Sequence, residues 1–473
     1  MYFKQFYLGC LAHGSYLLGS NGEAAVIDPQ RDVDQYIEEA EKNNLKIKYI
    51  IETHLHADFV SGHFELAKRT GAEIVFGSRA GASFKHIAAK DADVLKIGNV
   101  ELEILETPGH TPESICILAK ESTGAGAAAK LFTGDTLFIG DVGRPDLVAV
   151  KGYSENEMAS LLYDSLYNKL AKLDDATEIY PAHGAGSLCG KQLSDERTST
   201  IGKQKQFNYA FKPGIKKEQF IELVTTDLPE VPAYFPKDAE LNKRGANALT
   251  ELVKPKAMQA TEVNKEMQRG AILLDVRSGQ EFASGHVKGS LNIALSGQFA
   301  SWAGTMIDIN APIVLLASDI MSVQEAILRL ARIGIENVIG YLEKGMISWS
   351  DGGFEITQTP VITVEELHEE LKENQDIYIL DVRRKGEFEE GHIPGARNIP
   401  LAELPRHSEE IPENKQFAIV CASGYRSSIA KSILERAGVT NLMNVLGGMK
   451  AWNNSGFDIS RGEPSIKEPS HSI

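Results

Sequence analysis

A stretch that occurs twice constrains the fold of this chain more than any other feature. Residues 273–295 (LLDVRSGQEFASGHVKGSLNIAL) and 379–401 (ILDVRRKGEFEEGHIPGARNIPL) align without a gap, 106 residues apart, and agree at 12 of 23 positions. Chance does not supply agreement of that length, so the C-terminal part is a duplicated domain. Each copy reads as a strand ending in Asp-Val-Arg, then a Glu-Phe pair and a Gly-His turn. Further on, each carries Gly-Met-x-x-Trp (Gly345, Met346 and Trp349; Gly448, Met449 and Trp452). In a chain of 473 residues, two such units leave room for a larger domain ahead of them.

That N-terminal part is organised around Thr53–Gly62 (THLHADFVSG), which follows the apolar run Ile47–Ile51. A loop leaving a buried strand can aim several side chains at one point, whereas a straight strand sends alternate side chains to opposite faces. His54, His56 and Asp58 are metal-ligand types, although a bare His-x-His more often marks surface histidines. Three later segments change the balance: Thr107-Pro108-Gly109-His110-Thr111, Thr133-Gly134-Asp135 and Pro181-Ala182-His183-Gly184. Each places one ligand-type residue just past a strand. Imidazole and carboxylate without thiolate suit zinc or iron. Helix and strand are expected to alternate up to about Gly190, with Ser122–Ala129 a surface loop.

Taken in order, these four loops resemble the H-x-H-x-D, PGHT, TGD and PAHG segments of the metallo-β-lactamase superfamily over roughly residues 1–245, and the two repeats resemble rhodanese domains. The fold class this implies is α/β: an N-terminal αββα sandwich over residues 1–250, then rhodanese-like domains over 257–356 and 360–462, joined through Leu252–Lys256. A second metal in that superfamily is normally held by Asp58, a histidine at position 59, His183 and a bridging Asp135. Position 59 here is phenylalanine, which favours a single metal over a two-zinc hydrolase centre.

Within the superfamily the persulfide dioxygenases are similar in the run His56–Gly62, in TPGHT and in Gly143-Arg144-Pro145-Asp146. The resemblance implies one Fe(II) per chain held by His54, His110 and Asp135, a two-histidine, one-carboxylate set that leaves positions open for substrate and O₂. It casts His56, Asp58 and His183 as groups that orient ligands, though spacing alone would let His56 ligate. Arg144 would help shape the substrate pocket with Asp146 paired to it, unless the two form a structural ion pair only. The implied substrates are a low-molecular-weight thiol persulfide and O₂, and the implied product is sulfite. A zinc thioesterase similar to glyoxalase II shares the ligand scaffold but needs two metals. A non-catalytic sulfur-carrier scaffold with a structural metal would call for a closed four-ligand site, and this set is open.

In the second repeat the buried strand Phe417–Val420 runs into Cys421-Ala422-Ser423-Gly424-Tyr425-Arg426-Ser427 and then a helix. A tight loop at a helix N-terminus turns backbone N–H groups toward the sulfur, which suits a thiolate or persulfide, and Arg426 could hold sulfite or thiosulfate. C-x-x-G-x-R resembles the rhodanese active loop, with Cys421 as sulfur carrier. The corresponding stretch of the first repeat, Val314–Ser322, reads as leucine at the cysteine position and Ile320 or Met321 at the arginine position. That repeat is therefore expected to be inactive and to space, dock or dimerise, with a homo-oligomer as the expected assembly.

The remaining cysteines are few. Cys189, six residues after His183, could face the metal pocket and carry sulfur, or simply pack as a small hydrophobe; Cys10 and Cys116 read as packing residues in strand-like runs. No CxxC pair is present, so free thiols are expected. A formal net charge of -16 excludes a nucleic-acid surface, which needs clustered Lys and Arg. No apolar run approaches the ~18 residues that span a bilayer, and Met1–Tyr7 lacks a secretory pattern, so a cytoplasmic protein without membrane contact is expected.

Overall fold

The computed structural model describes residues 1–462 apart from 123–127, 148–151, 227, 229, 374–376, 408–410 and 413–414. Most of the small-residue loop at 122–129 thus lies outside the described residues. The chain divides into two units, one of Met1–Leu252 with Leu330–Ile335, the other of Val253–Arg329 with Glu336–Ile473.

The first unit is built on two six-stranded sheets. One runs in sequence order through β1 (Tyr2–Leu8), β2 (His13–Ser20), β3 (Glu23–Ile27), β4 (Lys46–Ile51), β5 (Glu73–Gly77) and β6 (Ile87–Ala89). The other holds β7 (Val94–Ile97), β8 (Val100–Glu106), β9 (Ile115–Glu121), β10 (Lys130–Gly134), β11 (Glu178–Pro181) and β12 (Ser199–Thr200). Alternate residues along a strand face opposite sides, and here both sides are buried. Tyr16 and Leu18 join Ile27, Ile51, Ile104, Ile117 and Phe132 between the sheets. Leu17, Val26 and Ile50 instead pack with Tyr36 and Ala40 of helix Asp34–Lys42 and with Leu66 of helix His63–Thr70. Leu118, Leu131 and Ile179 pack outward on Leu162 and Leu166 of helix Glu155–Asn168 and on Phe220. The layers are therefore helix, sheet, sheet, helix. The expected alternation of helix and strand fails at β1 to β3, which pair antiparallel in sequence, and again from β5 to β10, which follow one another without a helix and of which β7 to β10 pair antiparallel.

Every metal-ligand-type residue lies just beyond the C-terminal end of a strand: His54 after β4, His110 after β8, Asp135 after β10 and His183 after β11. Gly134 makes the turn after β10 possible. Its φ is +51°, and a Cβ there would meet Thr53 Oγ1 at 2.5 Å. The segment Leu330–Ile335 belongs to this unit through the Val60 N–H, which donates to Arg332 O at 2.7 Å, and through the Arg332 guanidinium, 2.8 Å from Asp32.

In the second unit the duplication is visible as two five-stranded parallel sheets with the same strand order. The first runs Lys256–Met258, Val338–Leu342, Ile313–Leu316, Ile272–Asp275, Leu291–Asn292; the second runs Val361–Ile362, Leu442–Val445, Gln416–Val420, Ile377–Asp381, Arg397–Asn398. Residues shared by the repeats hold each copy together. Arg277 clamps Asp275 and Gly285 O, as Arg383 clamps Asp381 and Gly391 O. Asn292 and Asn398 each donate two hydrogen bonds to backbone oxygens across the same turn. One buried indole per repeat, Trp349 and Trp452, donates to the carbonyls of Glu355 and Asp458.

Candidate metal centre and cysteine loop

Three buried groups converge at the edge of the sandwich. His110 Nε2 is 3.4 Å and His54 Nε2 3.7 Å from Asp135 Oδ2. Two ligand atoms sharing one ion at ~2.0–2.2 Å stand ~3 Å or a little more apart, so a small inward shift would seat a cation. His54 Nε2 and Asp135 Oδ2 have no hydrogen-bond partner, a costly arrangement for buried polar atoms unless a ligand is intended for them. The other nitrogen of each ring is occupied. His54 Nδ1 lies 2.9 Å from Thr53 Oγ1, whose hydroxyl donates to Asp28. His110 Nδ1–H donates to Arg144 O at 2.9 Å. These bonds leave both Nε2 lone pairs free to coordinate. Burial lowers the pKa of both rings, keeping them neutral. Burial works to raise that of Asp135, but His183 outweighs it and holds the carboxylate charged. The donor set fits a divalent zinc or iron ion.

His183 takes no part in that trio. Its Nδ1 is hydrogen-bonded to Asp135 Oδ1 at 2.8 Å and its Nε2 is 2.8 Å from Asp58 Oδ2. Burial opposes charge on this imidazole, yet Asp135 and Asp58 overcome it and hold its pKa well above the usual value. His56 turns elsewhere, its Nε2 3.1 Å from Asp28 Oδ1 and 3.4 Å from Glu52 Oε2. The spacing that would let His56 ligate beside His54 is thus used to bind it to two buried acids. Phe59 is 1% exposed and lies against the rings of His13 (4.1 Å) and His56 (4.5 Å), filling with hydrocarbon the place of a further imidazole.

Cys189 is buried, and its sulfur and the ligand atoms of Asp58 and His183 all lie within 4.8 Å of one another. Burial first, then Asp58 and Asp135, push its thiol well above the usual value. The Arg144 fork grips both carboxylate oxygens of Asp146 at 2.6 Å and reaches Leu188 O at 3.3 Å. Arg144 therefore braces the segment that carries Cys189 on one side and His110 on the other. Gly143 permits this closeness, since a Cβ there would stand 1.9 Å from Asp135 O. Cys116 is buried in β9, as expected. Cys10 is not in a strand but in the turn between β1 and β2, where it is partly exposed.

Several participants were not visible in the sequence. Asp28, Glu52, Thr53 and His63 form a buried polar layer under the histidines, with His63 Nδ1 3.4 Å from Glu52 Oε1. His13 is fully buried, and neither of its ring nitrogens has a hydrogen-bond partner. The one available signal was polarity at strand ends, where Asp28 and Glu52 directly follow β3 and β4.

In the second repeat Cys421 follows the strand Gln416–Val420 and precedes the helix Tyr425–Arg436. The Gly424 N–H donates to Cys421 Sγ at 3.1 Å, and Ser427 Oγ lies 3.5 Å from the sulfur. Gly424 has φ +105°, a left-handed conformation that turns its N–H onto the sulfur. Arg426 donates through its two terminal nitrogens to Glu387 at 2.7 and 2.8 Å, which fixes the guanidinium beside the loop.

The first repeat is also corrected. Asp275 pairs with Leu316 as Asp381 pairs with Val420, and Gly345 closes on Ala317 O as Gly448 closes on Cys421 O. The residue equivalent to Cys421 is therefore Ala317, not a leucine, and the equivalent of Arg426 is Ser322, not Ile320 or Met321. Two extra residues lie between the shared block and this loop, where the helix Phe299–Met306 replaces the shorter Leu404–His407. The absence of nucleophile and cation stands, and Glu281 there receives Ser318 in place of an arginine.

A buried site of two imidazoles and a carboxylate, at strand ends of an αββα sandwich, marks a metallo-hydrolase type of fold, and the two repeats share a second, parallel α/β fold. The chain belongs to the metallo-β-lactamase superfamily and carries two rhodanese-like domains. The superfamily model matches residues 8–183 and the rhodanese-like domain model residues 259–351 and 363–455. The crystal structure of a metallo-β-lactamase from Staphylococcus aureus subsp. aureus COL is 32% identical, with a TM-score of 0.64, over 72% of this chain and 98% of that one. A hydroxyacylglutathione hydrolase of Francisella tularensis subsp. novicida is 31% identical over 246 residues, 51% of this chain and 86% of that protein. A Bacillus subtilis protein whose name proposes a sulfur carrier, YrkF, is 35% identical over 112 residues, 24% of this chain and 59% of that protein. Among the described residues no helix is long and apolar enough to cross a membrane.

Proposed function

We propose that this chain is a cytoplasmic persulfide dioxygenase–sulfurtransferase, with a dioxygenase domain over residues 1–250, an inactive rhodanese-like domain over 257–356 and an active one over 360–462. One Fe(II), held by His54, His110 and Asp135, would supply the redox chemistry that joins O₂ to the outer sulfur of a low-molecular-weight thiol persulfide. The net reaction is R–S–SH + O₂ + H₂O → R–SH + SO₃²⁻ + 2 H⁺. The chain's own residues would do the rest. Thr53 and Arg144 O fix the two imidazole tautomers. His183, held between Asp58 and Asp135, keeps the carboxylate ionised and oriented. A persulfide on Cys421 would react with sulfite to give thiosulfate, the sulfane sulfur leaving Sγ as the thiolate; the reverse direction supplies persulfide from thiosulfate.

The observation that carries this reading is the pairing, in one chain, of an open two-histidine, one-carboxylate trio with a cysteine whose sulfur accepts a loop N–H. A second reading, a two-zinc thioester hydrolase, is favoured by the 31% identity to the Francisella hydroxyacylglutathione hydrolase. Phe59 speaks against it. Elemental analysis beside an oxygen electrode separates the two. The proposal expects about one iron per chain and O₂ uptake on adding a thiol persulfide. Two zincs with thioester cleavage and no uptake would replace it with the hydrolase.

A further inference from the structure

The helix Tyr425–Arg436, whose N-terminus carries the cysteine loop, buries a stripe that is polar. Tyr425, Ser428, Ser432 and Glu435 recur at spacings of three and four and so share one face, with Lys431 beside them. Ser428 is 5%, Lys431 4% and Ser432 0% exposed. Polar side chains buried this deeply need partners, and the first repeat supplies them. Tyr425 donates to Ala294 O at 2.9 Å, Ser428 donates to Asn292 Oδ1 at 2.7 Å, and the Asn292 N–H donates to Ser432 Oγ at 3.1 Å. At the far end Lys431 donates to His286 Nε2 at 2.9 Å and to Glu435 at 2.5 Å.

The fold itself does not demand this seam. With Ala317 at the place of Cys421, the first repeat has Met321, Gln324, Leu328 and Ala331 where the second has Tyr425, Ser428, Ser432 and Glu435, and Ile327 where it has Lys431. On the other side of the seam, His286 and Asn292 belong to the block that the repeats share. Asn292 and Asn398 each spend their Nδ2 donors on their own turn, and His286 and His392 each spend Nδ1 on the carbonyl of Phe282 or Phe388. The remaining atom of each is what differs. Asn292 Oδ1 and His286 Nε2 hold the helix of the cysteine loop, whereas Asn398 Oδ1 and His392 Nε2 have no hydrogen-bond partner among the described residues.

We propose that the first repeat, through Asn292 and Ala294, positions the cysteine loop of the second for sulfur transfer. The inference rests on the reading of Cys421 as a sulfane-sulfur carrier. Tyr425 and Ser428 lie in the first turn of the helix, directly after Gly424, whose N–H donates to Cys421 Sγ at 3.1 Å. Transfer leaves an electron pair on Sγ, and a hydrogen bond to that charge weakens steeply as distance and angle drift. A fully partnered polar seam fixes the register of the helix, whereas apolar contact is non-directional and lets it slide. Asn292 is thus a positioning residue, acting through Ser428 and the start of the helix on the N–H that meets the sulfur.

The test cuts the seam from the helix side of the full chain, leaving the first repeat's own bonds intact. Ser428→Ala removes the donor to Asn292, and Tyr425→Phe the donor to Ala294. In sulfur transfer from thiosulfate to cyanide, each should lower kcat about 3- to 10-fold, the worth of one hydrogen bond, and the double variant further, with KM for thiosulfate unchanged. Alkylation of Cys421 by iodoacetamide, read on its peptide by mass spectrometry, should slow in the same order, because the N–H that stabilises a thiolate no longer meets the sulfur. A seam that merely covered the loop would do the opposite, admitting the reagent faster once cut. Unchanged kcat in the double variant, or faster alkylation, would overturn the inference. If the double variant does not fold, Tyr425→Phe, which deletes a single hydroxyl, carries the comparison. Slower alkylation in the variants of a chain whose wild type transfers no sulfur would leave the positioning standing and sink the carrier reading instead.

Discussion

At position 59 a benzyl side chain lies against His13 and His56, and its effect on metal number follows from what it displaces. Asp58 is its neighbour in the chain and is bound through His183 to the Asp135 carboxylate. An imidazole supplied there would add the missing donor of a second cation. Phe59→His should raise metal content from about one toward about two ions per chain and depress O₂ uptake, as read by elemental analysis and an oxygen electrode. Unchanged metal content would mean that the ion pairing of His183 with Asp58, rather than Phe59, excludes the second ion. His13 is part of the same question, because it presses on Phe59 with two unpartnered nitrogens.

Among the elements, the helix Tyr425–Arg436 and the loop before it depend on the Glu387–Arg426 pair. Burial tends to raise the Glu387 pKa, but Arg426 outweighs it and holds the carboxyl below 4.5. The pair's contribution to stability is therefore complete above that pH and fades as pH falls through the lower folded value. In thermal melts between about pH 7 and about pH 3, Glu387→Gln should lie below the wild type on the neutral side and converge with it on the acid side. A constant gap across the range would show that the lost stability comes from packing and not from the charge.

The same elements show what the sequence could and could not reveal. Strand ends bearing His54, His110, Asp135 and His183 were legible because apolar runs followed by ligand-type residues carry their own period. The antiparallel run β7 to β10 was not, since strand order within a sheet is set by pairing between segments. Nor was the position of Ala317. The identical block of the repeats ends at Leu295 and Leu401, and the unequal helices after it shift the register by two residues. The buried acids Asp28 and Glu52 showed only as polar residues at strand ends, because their partners His56, Thr53 and His63 become neighbours only through the fold.

On the scale of the whole molecule, the two proposed chemistries share substrates, and each can be removed separately. Cys421→Ser should abolish thiosulfate formation while O₂ uptake with a thiol persulfide continues, checked by sulfite and thiosulfate assay on the same sample. Loss of both would mean that sulfur must pass through Cys421 before oxidation. The first repeat keeps the fold-making residues of its twin and has Ala317 and Ser322 where the twin has Cys421 and Arg426.

The two indoles tied to Glu355 and Asp458 have a further use. All three tryptophans of the chain, Trp302, Trp349 and Trp452, lie in the rhodanese half, and none lies in the metal-binding half. Light that excites indole alone will therefore report on only one of the two units. Its emission can follow melting of the rhodanese-like half while circular dichroism follows the entire chain, so a mismatch between the two curves would date the unfolding of each half without a label.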